Sequence, residues 1–304
     1  MKRLAAARAV RRAAGLAAAG LVLLLAACAP EPATGDGAVS WSPIADHEIE
    51  FIDDVDFGGP AGIRLDVCRP AQAAPGAPAI LSVHGGGWRA GDKAQPQWRE
   101  ACAWLASEGF VVFQSNYRLA PDHPFPAGLD DLETALDWIR DDGQAATFGH
   151  DPSRVAAFGD SAGGNLVSLL GLRGATASGT LRGVVELSAP LDLTQDGAAL
   201  GDLDDSFQRV QLDYLGCETY DDCPSARAAS PMHAVEPGAP PFFIVHAEDD
   251  FIPVEQADAF VAALEEAAVD VVLERVEGDG HALDLLDGAL RDRIVDWLRA
   301  RLDA

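Results

Sequence analysis

A serine hydroxyl becomes a useful nucleophile only beside a base, and the anion it creates needs fixed hydrogen-bond donors. In the stretch Gly159-Asp160-Ser161-Ala162-Gly163, glycines stand two before and two after Ser161. Such flanks suit a serine raised on a sharp strand-to-helix turn, where small neighbours relieve the crowding. The apolar run 154–158 supplies a strand before it, and the run from Asn165 supplies a helix after it. The competing reading is a helix-capping serine in a glycine-rich turn. G-x-S-x-G is a weak signal by itself in a chain with 30 glycines.

The donors are sought upstream, in Leu81-Ser82-Val83-His84-Gly85-Gly86-Gly87-Trp88. Three successive glycines after a strand let backbone N–H groups turn toward one point. The expected oxyanion hole is the N–H of Gly86, of Gly87 and of Ala162. His84 is assigned to holding this loop by hydrogen bonds, and Trp88 to lining the acyl pocket.

Three motifs in one order then carry a resemblance: His84-Gly85-Gly86-Gly87-Trp88, Tyr117-Arg118-Leu119-Ala120-Pro121 with Phe125-Pro126-Ala127, and Gly159-Asp160-Ser161-Ala162-Gly163-Gly164. The chain resembles the α/β-hydrolase serine esterases from about Glu50 to Leu302, and within them the hormone-sensitive-lipase-like and acetyl- or feruloyl-esterase-like groups. That resemblance implies an α/β-hydrolase fold, no cofactor, no metal, and the triad order Ser, Asp, His. Of seven histidines only His281 follows the last expected strand, in Glu277-Gly278-Asp279-Gly280-His281. The orienting acid falls in His246-Ala247-Glu248-Asp249-Asp250-Phe251-Ile252-Pro253. Family spacing counted from the strand gives Asp250, and counted back from Pro253 it gives Asp249. A strand fixes geometry more rigidly than a loop, so Asp250 is preferred with Asp249 as the alternative.

The implied chemistry is acyl transfer from small acyl or aryl esters, with acetyl or feruloyl groups on extracellular polysaccharide as natural candidates. An amide-cleaving serine hydrolase, either a peptidase or an aryl formamidase, would use the same residues. A non-catalytic binding protein on this fold is disfavoured, because Ser161, His281 and an acid are all retained.

These residues need a scaffold, and the apolar pattern supplies one. Runs at 49–57, 63–68, 79–83, 110–115, 154–158, 183–187, 242–245 and 269–276 read as strands. Helical patterns at 98–107, 129–140, 165–172, 254–267 and 283–302 alternate with them. The alternation predicts an α/β fold with a mostly parallel central sheet flanked by helices. Residues 191–239 break the rhythm and are expected to form a lid-like insertion over the sheet's C-terminal edge, with Phe207 and Tyr214 as pocket candidates. Trp98, Trp104 and Trp138 sit at amphipathic-helix spacing and belong to the core.

Before the domain, assigned to 43–304, lie two other segments. Lys2, Arg3, Arg8, Arg11 and Arg12 precede an apolar run at 15–27, a secretory signal pattern too short to span a bilayer comfortably. Leu25-Ala26-Ala27-Cys28 resembles a bacterial lipobox, which implies lipidation of Cys28 and a lipoprotein held at the cell envelope. An ordinary cleaved signal would give a secreted protein instead. Residues 28–42 read as a disordered tether after a signal peptide at 1–27. Loss of the leader takes the 22 basic residues to 17 against 48 acidic ones, a surface that repels nucleic acid and anionic headgroups. Partners therefore reduce to a small-molecule ester and, through the anchor alone, a membrane. With Cys28 set aside, Cys68, Cys102, Cys217 and Cys223 allow three disulfide pairings, the local Cys217–Cys223 leaving Cys68–Cys102. The chain has no CxxC, and Asp53, Asp54 and Asp56 lack the glutamate that would complete a calcium loop.

Overall fold

The computed structural model describes residues 48–174 and 181–303. The signal peptide at 1–27, Cys28, the 28–42 tether and the first residues of the domain at 43–47 lie outside the described residues.

Eight strands form one sheet: β1 (Ile49–Val55), β2 (Leu65–Pro70), β3 (Ala77–Val83), β4 (Val111–Ser115), β5 (His150–Asp160), β6 (Val184–Leu187), β7 (Phe242–Ala247) and β8 (Val271–Val276). Their spatial order is β1-β2-β4-β3-β5-β6-β7-β8. β1 and β2 pair antiparallel with their neighbours, and every pairing from β4 to β8 is parallel. Alternate residues of the buried strands face opposite cores, as a period of two requires. Leu81, Val111, Phe113, Ala157 and Phe242 pack beneath α2 (Ala127–Ile139), α3 (Asp142–Phe148), α4 (Ser161–Gly174) and α8 (Val254–Glu266). Ile80, Val112, Ala156, Phe158 and Phe243 face α1 (Pro96–Ser107) and α9 (Gly288–Leu302) instead. Trp98 and Trp104 are in that second core, and Trp138 packs on the first.

Two elements depart from the sequence pattern. The helix expected at 283–302 is divided into a 3-10 turn at Ala282–Leu285 and α9. The cause is Asp287, whose carboxylate accepts the Leu290 N–H at 2.7 Å and imposes a helix start there. The unexpected α3 lacks an apolar stripe. It is defined at its ends by the Asp141 cap and by Gly149 in the left-handed region.

The 191–239 segment contains α5 (Gln195–Ala199), α6 (Asp205–Leu215), α7 (Pro224–Ala228) and a 3-10 turn at Pro231–His233. Its roots are held by buried side chains. Gln256 of α8 accepts the Leu191 and Asp192 N–H groups, and Asn165 of α4 donates to the carbonyls of Pro190 and Ala229. Disulfides join Cys68 of β2 to Cys102 of α1 and Cys217 to Cys223 just after α6. By loop-closure entropy the first, spanning 34 residues, contributes about 3–4 kcal/mol and the second about 2 kcal/mol.

Glu186 of β6 is fully buried, and its Oε2 accepts the Ala189 N–H at 3.0 Å. Burial outweighs that donor and pushes the carboxyl up to about 8. In the unfolded chain the group ionises from about its ordinary value of 4.5. Between those two values folding must take up a proton, so stability falls as pH rises through this window and the penalty vanishes below it. Glu186→Gln should therefore raise the thermal midpoint at pH 8, by about 2–4 °C per kcal/mol recovered, and leave it nearly unchanged at pH 4.5. Equal shifts at both pH values, followed by calorimetry, would rule out this proton linkage.

Candidate active site

Parallel pairing brings the C-terminal ends of β3, β5, β6, β7 and β8 to one edge in that spatial order. The loop 84–88 follows β3, Ser161 follows β5, Ser188 follows β6, Asp250 follows β7 and His281 follows β8. This is the edge where open α/β sheets place their ligands.

β5 ends at Asp160 and α4 begins at Ser161, with no loop between. The turn is made by Ser161 itself, at φ 48°, a left-handed conformation that costs a non-glycine residue roughly 1–2 kcal/mol. Its flanking glycines are needed because backbones touch. A Cβ on Gly163 would lie 2.2 Å from the Val83 carbonyl oxygen, and one on Gly159 would lie 2.6 Å from that of Gly163. Ser161 is mostly covered but lines a cleft of about 480 Å³.

His281 lines the same cleft, and its Nδ1 is 2.9 Å from both carboxylate oxygens of Asp250. A carboxylate only accepts, so Nδ1 carries the proton and Nε2 keeps its lone pair. Burial alone would raise the Asp250 carboxyl. Hydrogen bonds from His281 and the Ile252 N–H, with Ser188 beside them, overcome it and hold the group below the usual carboxylate range, ionised beside the imidazole. Asp249 is exposed, and its N–H donates to the Gly278 carbonyl. The structure thus brings Asp250, and not Asp249, to His281. His246 is buried behind the pair and donates from Nε2 to the Ile252 carbonyl at 2.8 Å, bracing the acid's loop.

Gly86 and Gly87 face the cleft at φ 119° and 59°, a conformation open to glycine. A Cβ on Gly86 would strike the Ala90 carbonyl at 2.2 Å. His84 lies beneath this loop, its Nδ1–H donating to the Gly85 carbonyl at 2.8 Å and its ring stacked on Tyr117 at 4.6 Å. Tyr117 returns a hydrogen bond from its hydroxyl to the His84 carbonyl. Burial lowers the His84 pKa, so the ring stays neutral and acts as a strut. Ala162 is buried in the first turn of α4, directly after Ser161.

Trp88 corrects an expectation. It is buried, stacked at 4.3 Å on Tyr214 of α6, and absent from the cleft wall. Its φ of 57° turns the chain out of the glycine run, so its ring joins the loop to α6. Tyr214 is buried with it, whereas Phe207 does reach the cleft. Asp160, adjacent to the serine, also lines the cleft, and burial pushes its carboxyl up to about 7 against the pull of His281 and the Gly85 and Leu283 N–H groups.

Phe251 was not singled out by sequence pattern. Its ring is half exposed, 4.3 Å from the His281 ring and 5.4 Å from that of Phe207. Position next to the acid was the one available signal, because loop residues carry no periodicity that reveals their direction. Gln95 and Gln97, at the start of α1, add polar groups to the same cleft. Among the described residues no group of three His, Cys, Asp or Glu side chains is placed to hold a metal ion.

Comparison with known proteins places this geometry. The BD-FAE family model matches residues 65–264, a span that includes the glycine loop, Ser161 and Asp250. Esterase LipC of Mycobacterium tuberculosis is 36% identical over 256 residues, covering 77% of this chain and 60% of LipC. The match therefore spans about three-fifths of that relative's length. Carboxylesterase NlhH of the same organism is 33% identical over 227 residues, covering 70% of this chain and 68% of NlhH. An esterase from Pyrobaculum calidifontis superposes with a TM-score of 0.69 at 27% identity, over 86% of each chain. With its elbow serine, glycine loop and sheet order already in place, the chain belongs to the BD-FAE family and has the α/β-hydrolase fold of these esterases.

Proposed function

We propose that the protein is a carboxylic ester hydrolase working through an acyl-enzyme on Ser161. The observation that carries this reading is the Asp250–His281 pair sharing one cleft with Ser161 and the Gly86–Gly87 loop. His281 Nε2 takes the Ser161 proton as the hydroxyl attacks the ester carbonyl, and Asp250 keeps the imidazole in the required tautomer. The N–H groups of Gly86, Gly87 and Ala162 receive the oxyanion. His281 then protonates the departing alcohol and activates the water that frees the acid.

Cleft size and lining favour small acyl or aryl esters. A volume of about 480 Å³ accommodates a compact ester. Phe207 and Phe251 offer a wall beside His281, where the alcohol must leave, and Gln95 and Gln97 offer hydrogen bonds to a sugar. Acetyl or feruloyl groups on extracellular polysaccharide are the natural substrates we propose. Export and lipidation at Cys28 complete the reading; two disulfides of a kind that persist in oxidising compartments support the export.

A fluorophosphonate should label the purified protein and fail on Ser161→Ala. Asp250→Asn should lose about 10³-fold or more in kcat and Asp249→Asn less than about twofold; a silent Asp250→Asn places the acid elsewhere. In a p-nitrophenyl ester series run beside acetylated xylan, acetate and butyrate should exceed palmitate by at least about 100-fold in kcat/KM. Preference for palmitate would refute the small-ester reading. Metabolic labelling with a palmitate analogue should mark the wild type and not Cys28→Ser; labelling of both would refute lipidation at this cysteine.

A further inference from the structure

Ser188 directly follows β6 in the turn Ser188-Ala189-Pro190, beside the loops that carry the acid and the base. It is fully buried, and its φ of 51° lies in the left-handed region. Its N–H donates to the Val245 carbonyl of β7 at 2.8 Å, which ties the turn to the strand that leads to Asp250. The turn is shaped from behind by Glu186, whose carboxyl takes the N–H of Ala189.

The hydroxyl faces the other loop. Ser188 Oγ accepts the N–H of Ala282 at 3.0 Å, across 94 residues of sequence. Ala282 directly follows His281 and has a φ of 60°, so this bond holds a backbone conformation that an alanine does not favour by itself. A serine hydroxyl has one proton, and with Ala282 occupying a lone pair that proton remains to be given. Asp250, held in its ionised form beside Ser188, is an acceptor within the same buried setting. The other ionisable groups facing Asp250 are His281, His246 on β7 and Glu186 on β6.

We propose that Ser188 is a positioning residue for ester hydrolysis: one hydroxyl receives the backbone of the His281 loop and donates to Asp250, setting the register in which imidazole meets carboxylate. The inference rests on the reading of Ser161, His281 and Asp250 as the catalytic triad. The left-handed backbone separates this role from simple satisfaction of a buried N–H. At such a φ glycine is unstrained, so the backbone gains nothing from a serine there, and the hydroxyl is what the position supplies.

Ser188→Gly is the informative variant, since glycine adopts this φ freely, and Ser188→Ala is its partner. Steady-state hydrolysis of p-nitrophenyl acetate should show kcat lowered about 10-fold in both, with KM within about twofold, the effect of one lost hydrogen bond at the reacting pair. Thermal midpoints read on the same samples establish folding. In an Asp250→Asn background, Ser188→Gly should cost less than about twofold, because coupled residues are not additive. Wild-type kcat in Ser188→Gly overturns the proposal, and so does a full 10-fold loss on top of Asp250→Asn. Undiminished turnover in Ser161→Ala and Asp250→Asn would instead overturn the triad itself, whatever Ser188 does.

Discussion

The site hangs on one close approach of backbone to backbone. The α carbon of Gly163 sits so near the end of β3 that a methyl group there would meet the carbonyls of Val83 and His84 at 2.2 and 2.7 Å. That approach lets α4 start without an intervening loop, forces Ser161 into its left-handed turn and lifts its hydroxyl above the sheet. It also brings the first turn of α4 against the strand end from which the glycine loop departs. Nucleophile and proposed anion donors are thus set by the same packing event, and a side chain at Gly163 would separate both.

Electrostatics divides the buried acids by how far their donors offset burial. Asp250 has His281 and the Ile252 N–H as donors, with Ser188 nearby, and it keeps its charge. Glu186 has one backbone donor, and burial raises it to about 8. Asp160, with two backbone N–H groups and the nearby imidazole, is raised to about 7. Of these three buried acids, Asp250 is the one whose carboxylate is held below its usual range, and it faces the imidazole. A negative partner at hydrogen-bond distance favours the imidazolium that the proposed reaction creates.

Much of this was legible from spacing along the chain. The glycines around Ser161 and before Trp88, the eight strands and the late His281 all announce themselves by local pattern, because their roles are set by backbone conformation and strand order. The acid was ambiguous because counts from the strand and from Pro253 disagree by one. The structure brings Asp250 to His281, since β7 runs to Ala247 and leaves Asp249 pointing to the surface. Ser188 and Phe251 were illegible for another reason: each matters through a contact with the His281 loop far away in sequence. Trp88 misled because an aromatic beside a glycine loop is compatible with either side of that loop, and only its φ decides.

The segment between β6 and β7 is seated firmly on the site below it. Val210 of α6 lies where a Cβ on Gly87 would approach to 3.0 Å, and Tyr214 is stacked on Trp88 one residue later. The glycine loop therefore has a moulded ceiling as well as a floor. For the divergence of this family it means that the segment is not a free module. A replacement drawn from a relative would have to bring its own ceiling, with a side chain of Val210's reach and a flat partner for the indole. Changes of substrate scope are easier to reach through Phe251, which borders the cleft with its ring half exposed, than through Phe207, which also packs against Trp88.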